Sequence, residues 1–242
     1  MVGQLEIRPI LAEDLAAVMP SAQGLLSDEP EMESSLHYLQ LLLLVTSLNW
    51  YWQARKDYFI GANLAIYYSR EQLRQRDFRG PDLFLVKNVD PWLRPSWVVW
   101  EEDGRYPDLI LEIFSDSTAA IDRQEKRFLY QNRFRIPEYF WFSPDTQEFM
   151  GLRLVNCVYE EIAPNAQGHR WSQELELFLG LHQSRLRYFT ANGELILTPE
   201  EAAQQFQLEL QATQAELEAA QQKQQLLAAK LRALGIDLDR LT

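Results

Sequence analysis

The stretch YPDLILEIFS, residues 106–115, sets Leu109, Ile110, Leu111, Ile113 and Phe114 behind a Pro-Asp start with almost no polar relief. A run this short, aliphatic and bounded by turn formers reads as a buried β-strand. Glu112 interrupts it, and an ionised carboxylate without partners is costly in such a place. Alternation along a strand puts Asp108, Ile110 and Glu112 on one side and Leu109, Leu111 and Ile113 on the other, so Glu112 points away from the main aliphatic row, where the end of a cleft is open to it. A second run, PDLFLV at 81–86, opens with the same three letters and places Asp82 at the start of a neighbouring strand. If the two strands pair, two or three carboxylates converge, and they repel one another unless a proton or a cation sits between them. A hard divalent cation such as Mg²⁺ resolves that repulsion.

On the C-terminal side the period changes. STAAIDRQEKRFLYQNRF, 117–134, has helical character, with Ser117 or Thr118 available as N-cap. Asp122, Lys126 and Tyr130 fall at i, i+4 and i+8 on one helical face, from which a lysine leans back over the end of the preceding strand. Strand patterning returns in EYFWFSPDT (138–146), FMGLRLVNCVYEEI (149–162) and RLRYFTANGELIL (185–197), the first and last closed by Pro-Asp and Asn-Gly turn signals. On the N-terminal side, YFIGANLAIYYS (58–69), with a Gly-Ala-Asn turn, GPDLFLVKNV (80–89) and SWVVWEEDG (96–104) read as strands. The Leu-rich MESSLHYLQLLLLVTSLNWYWQAR, 32–55, reads as a helix free of Gly and Pro. The fold class is therefore α/β, with an acidic arm over 1–31, a globular domain over 32–197 and a separate tail over 198–242. In that tail Ala203, Phe206, Leu210, Thr213, Leu217, Ala220, Gln224, Leu227, Leu231 and Leu234 alternate at spacings of three and four, a coiled-coil pattern weakened by its small and polar members. Two readings follow, self-association through the tail or a single solvated amphipathic helix.

Composition narrows the function classes. With 242 residues, 47% of them hydrophobic, the chain buries a sizeable core. LQLLLLVTSLNWYW, 39–52, falls short of the roughly 20 apolar residues that span a bilayer, so no transmembrane helix is expected. The N-terminus lacks a basic start followed by an apolar core, and Cys157 is the single cysteine, which together fit a reducing cytoplasm. The three histidines, His37, His169 and His182, lack zinc-ligand spacing, and neither a P-loop nor a G-x-S-x-G elbow occurs. The net charge of −12 runs against a nucleic-acid partner, but it is unevenly spread. Residues 1–33 hold seven acids against Arg8, whereas 69–136 hold twelve acids and twelve bases, clustered in SREQLRQRDFRG and RQEKRFLYQNRFR. These clusters supply either a local positive surface or the solvated faces of helices.

The parts of a metal-assisted phosphodiester hydrolase are thus present: carboxylates for a cation, and a lysine to orient water or stabilise charge. Each part has a plain structural alternative. Asp82 and Asp108 suit turn positions after proline, Lys126 suits a surface pair with Asp122, and Glu112 suits a salt bridge to a nearby arginine.

As an ordered set, GPDLFLV, YPDLILEIFSDST, DRQEKRFLY and RIPEYFWFSPDT resemble the Uma-type endonuclease family, a branch of the PD-(D/E)XK, restriction-endonuclease-like superfamily long filed as a domain of unknown function. The resemblance covers most of residues 32–190. It implies an α/β core with a mixed central sheet flanked by helices, Mg²⁺-dependent cleavage of DNA with Mn²⁺ as a substitute, and a tendency to form homo-oligomers. Asp82 resembles the motif aspartate and Glu112 the second acid, the two metal ligands. Where the superfamily has lysine two residues after that acid, this chain has Phe114, and the family's helix lysine corresponds to Lys126. Glu33 resembles an additional acid near the metal, His37 lies one turn on and either touches substrate or caps the pocket, and Tyr130 packs beside Lys126 on the substrate side. Against this reading as a Mg²⁺-dependent endodeoxyribonuclease stands a catalytically silent nuclease-fold protein that assembles with itself or a partner.

Overall fold

The computed structural model describes residues 34–69, 80–114 and 119–233, with residues 119–123 and 232 described by their backbone alone. The chain divides into two compact units, Met1–Ile196 and Leu197–Thr242. In the first, helix α1 (Ser35–Tyr51) starts where the Ser34 hydroxyl accepts the His37 N–H at 3.1 Å, an N-cap within the expected helical stretch. Strands β1 (Tyr58–Ala62), β2 (Ile66–Tyr67), β3 (Leu83–Lys87), β4 (Trp97–Val98) and β5 (Leu109–Ile113) lead to helix α2 (Ala119–Leu129), which ends in a π-turn over Tyr130–Phe134. Strands β6 (Glu138–Phe142), β7 (Phe149–Val155), β8 (Val158–Glu161), β9 (Arg170–Ser172), β10 (Leu177–His182) and β11 (Arg185–Phe189) complete the unit.

The central sheet is mixed, ordered β1-β3-β5-β6-β7-β8, with β5 and β6 parallel and every other neighbour antiparallel. A three-stranded antiparallel sheet, β11-β10-β9, and a parallel β2-β4 pair accompany it. Alternation along the strands sorts the core. Leu83, Leu85, Leu109, Leu111, Ile113, Phe140 and Phe142 pack with Leu41, Leu44 and Leu48 of α1 and with Leu177, Leu179 and Leu186 of the smaller sheet. On the opposite face Phe84, Val86, Ile110 and Tyr139 pack with Phe59, Trp97, Tyr130 and Phe134 in an aromatic layer. Two strand glycines make room for rings directly across the ladder: Gly61 faces Phe84 and Gly151 faces Phe140, and a Cβ at Gly61 would lie 2.1 Å from the Phe84 ring.

Several local expectations change. SWVVWEEDG gives only the two residues of β4 before a turn that ends at Gly104, whose φ is +75°. The Gly-Ala pair stays in β1, and the chain bends at Asn63, with φ +46°. FMGLRLVNCVYEEI is two strands joined at Asn156-Cys157, both at positive φ, as the tight turn of a hairpin requires. Strands β9 and β10 fall in a stretch without strand expectations, and β10 meets β11 through a second positive-φ pair, Gln183-Ser184. Ser117, Thr118, the arm over 1–31 and most of SREQLRQRDFRG lie outside the described residues.

The second unit is helix α3 (Pro199–Ala233). Thr198 and Glu201 open it with a reciprocal capping box, the Glu201 N–H donating to Thr198 Oγ1 and the Thr198 N–H to Glu201 Oε2, and Pro199 takes the first helical position. Among the described residues no helix is long and apolar enough to cross a membrane.

Candidate active site

Strands β3 and β5 run antiparallel, with Leu83 opposite Leu111, Phe84 opposite Ile110 and Leu85 opposite Leu109. One step further along this register, Asp82 comes opposite Glu112, and Asp108 opposite Val86. The two Pro-Asp-Leu triplets are therefore related by the local two-fold axis of the pair, and both aspartates do the same backbone work. Asp82 Oδ2 accepts the Ile113 N–H at 2.6 Å, and Asp108 Oδ2 accepts the Lys87 N–H at 2.7 Å. What separates them is the far strand: Asp82 has Glu112 beside it, while Asp108 sits about 13 Å away along β5, at four residues of ~3.3 Å each. Asp108 is a strand-end clamp, remote from the carboxylate pair.

Glu112 is wholly buried, facing the aromatic layer as its alternation with Ile110 requires. Both its oxygens have donors from the following helix and turn. Lys126 Nζ donates to Oε2 at 2.9 Å and the Tyr130 hydroxyl to Oε1 at 2.6 Å. The helical spacing of residues 126 and 130 thus delivers two donors to one carboxylate. The ion-pair partner is this lysine, not an arginine. Burial pushes the Glu112 carboxyl up to about 7; the nearby Asp82 charge adds to the rise, and Lys126 and Tyr130 oppose it. Burial, reinforced by the Glu112 carboxylate, also drives the Tyr130 phenol well above its ordinary range, so it stays a hydrogen-bond donor.

The cluster opens outward at Asp82 and Lys126, whose side chains are 15% and 13% exposed while that of Glu112 is sealed. From the other face of the sheet, the first turn of α1 brings His37 Nε2 to 2.9 Å from Asp82 Oδ1. Lys126 Nζ also lies 5.7 Å from the centroid of the Phe114 ring, which itself packs against Trp141. Phe114 thus occupies the strand position where a lysine would stand, and the helix lysine reaches over its ring. Of the residues singled out from the sequence, Asp82, Glu112, Lys126, Tyr130 and His37 come together, whereas Glu33 lies outside the described residues. Tyr130, expected on the substrate side, is completely buried beneath Glu112, where it positions the carboxylate. Asp122 is described by its backbone alone.

Among the described residues no three His, Cys, Asp or Glu side chains stand together as a metal cluster. The facing pair Asp82 and Glu112 nevertheless fits a Mg²⁺ ion, which takes one or two protein carboxylates and keeps waters and substrate oxygens for the rest of its shell. The repulsion that helps raise the Glu112 carboxyl is what such a cation would relieve.

A second buried acid, Glu138, went unremarked in the sequence. It accepts from Arg153 Nε and Nη2 at 3.0 and 2.8 Å, from the Gln173 and Glu174 N–H groups at 2.9 and 3.3 Å, and from the Ser172 hydroxyl. It is a structural joint between β6, β7 and the turn after β9.

A family model named Uma2 and described as "Putative restriction endonuclease" matches residues 22–184. Among solved structures, the chain is similar to a crystal structure titled as a putative nuclease belonging to DUF820 from Anabaena variabilis ATCC 29413, at 14% identity and a TM-score of 0.42, covering 57% of this chain and 73% of that one. No curated protein matches.

Proposed function

Because the chain belongs to the Uma2 family, whose members are described as putative restriction endonucleases, we propose that it is a divalent-metal-dependent endonuclease acting on DNA, with Mg²⁺ as its metal. The observation that carries this reading is the pairing of Asp82 with Glu112 across the β3–β5 ladder, with Lys126 Nζ 2.9 Å from Glu112. Asp82 and Glu112 would hold the cation, which when bound polarises the phosphodiester and lowers the pKa of an attacking water. The chain's own groups do the remaining work. Tyr130 fixes Oε1 of Glu112, so the carboxylate has one settled orientation. Asp82 is fixed through the Ile113 N–H and the His37 ring, leaving its outer edge toward solvent. Lys126, at the rim, carries the positive charge that meets a phosphate or orients a water.

Cleavage of supercoiled plasmid with Mg²⁺ or Mn²⁺ tests the assignment, comparing wild type with Glu112→Gln and Lys126→Ala. Metal-dependent nicking lost in both variants supports it. Equal activity in all three removes it. An inert wild type would leave a silent nuclease fold, the reading favoured by the sealing of Glu112 under Lys126 and Tyr130.

A further inference from the structure

Helix α3 leaves its heptad stripe uncovered: Phe206, Leu210, Leu217 and Leu227 are 68%, 48%, 58% and 58% exposed. The flanking position just before each residue of the Leu210 type, one per heptad, is Glu209, Glu216, Lys223 and Lys230, acidic in the first half of the helix and basic in the second. All four are exposed. None has an oppositely charged residue three or four places away in its own helix, so the local ion pairs that would explain charges on a solitary solvated helix are absent from the sequence.

We propose that α3 pairs with the α3 of a second copy of this chain in antiparallel orientation, centred between Glu218 and Ala219. In this register Phe206 meets the partner's Leu231, Leu210 the partner's Leu227, Thr213 the partner's Gln224 and Leu217 the partner's Ala220. Every apolar layer is thus apolar on both sides, and the two polar members share a layer, where they can hydrogen-bond. The same register sets Glu209 beside the partner's Lys230 and Glu216 beside the partner's Lys223, and the two-fold axis doubles these to four attractive pairs. A parallel dimer would instead set these charges against Gln214, Gln221 and Ala228, which offer no charge. Charge complementarity therefore selects both the partner, a second copy, and its direction. The chain enters each helix at its N-terminus, so the two entry points lie at opposite ends of the pair, about 58 Å apart at ~1.5 Å per residue. This surface is independent of the nuclease reading.

Two experiments on the full chain test it. Sedimentation equilibrium at low ionic strength should show a wild-type dimer, weakened at least about tenfold by Glu209→Lys with Glu216→Lys, which turns four attractive pairs repulsive. Adding Lys223→Glu and Lys230→Glu to the same chain should restore it, which separates lost pairing from lost folding. In a Cys157→Gly background, a spin label at Gln204→Cys should report a distance near 44 Å across 29 residues of rise in the antiparallel pair, against under about 20 Å in a parallel one. A monomeric wild type, a dimer indifferent to the charge changes, or the short distance would each overturn the proposal.

Discussion

Replacing Glu112 with glutamine keeps the shape of a sealed side chain and removes its proton equilibrium, so its effect on stability must change with pH. In the unfolded chain the carboxyl titrates near its ordinary 4.5, and in the folded protein burial holds it up to about 7. Between these values the native state keeps a proton that the unfolded state has released, and stability therefore falls as pH rises through the window. At about 1.4 kcal/mol per pH unit over that interval, the wild type loses on the order of 3 kcal/mol between acid and neutral pH. Glutamine has nothing to ionise and escapes this loss. Metal-free protein, kept in chelator, should show wild type and Glu112→Gln converging or crossing in stability as pH is raised from 5 to 8, with the variant gaining by about 2–3 kcal/mol relative to wild type. Urea melts followed by tryptophan fluorescence read the difference directly, and subtracting the variant cancels the titration of the groups that Glu112 does not contact. Parallel stability curves across that range would refute the burial argument, because they would mean that Glu112 ionises as easily inside the protein as outside it.

The same carboxylate must be ionised to take a metal, so Mg²⁺ should stabilise wild type more at pH 8 than at pH 6, by up to ~3 kcal/mol at a hundredfold excess over Kd, read as a higher melting temperature; Glu112→Gln should lose this shift, and an equal shift in the variant would place the ion elsewhere. Gly61→Ala drives a methyl group into the Phe84 ring 2.1 Å away and should cost ~1–3 kcal/mol in urea melts; a wild-type midpoint would show that β1 and β3 are not held this closely. Cys157→Gly relieves a side chain held at φ +67°, where an L-residue costs roughly 1–2 kcal/mol against ~0.5–1 for the added freedom of glycine. The net gain of about 0.5–1 kcal/mol should appear as a higher midpoint, and destabilisation would contradict the hairpin turn.

What the sequence made legible was whatever depends on neighbours along the chain. Alternation in 109–113 put Glu112 on the face away from the leucines, and helical spacing put Lys126 and Tyr130 on one side of the next element; both side chains reach Glu112. Pairing between distant segments was not legible in the same way. Two identical Pro-Asp-Leu triplets cannot be told apart until the antiparallel register sets one aspartate opposite Glu112 and the other opposite Val86. The His37–Asp82 contact needed the first turn of α1 to meet the residue just before the start of β3, from a segment 45 residues away in the chain. Strands β9 and β10 escaped notice because their connection to β11 turns at Gln183-Ser184, which lacks the glycine that usually marks a left-handed pair.

The two buried glutamates show why burial alone does not identify a site. Glu112 and Glu138 stand on adjacent parallel strands, at the next-to-last position of β5 and the first of β6, and both are inaccessible to solvent. Glu138 is surrounded by five donors, including a guanidinium that contributes two, and these come from two separate segments, β7 and residues 172–174, that it ties to β6. Glu112 has two donors, both from one helix and its π-turn, and an acidic neighbour across the ladder that makes its charge harder to hold. A carboxylate so fully compensated as Glu138 has nothing further to gain from a cation, and removing a partner there costs folding. Glu112 is under-compensated beside Asp82, at the end of the ladder where the cluster meets solvent, and a cation would complete it. The difference lies in the donor count and in the second acid, Asp82, that stands across the ladder from Glu112, and that neighbour is set by register rather than by the local string of residues.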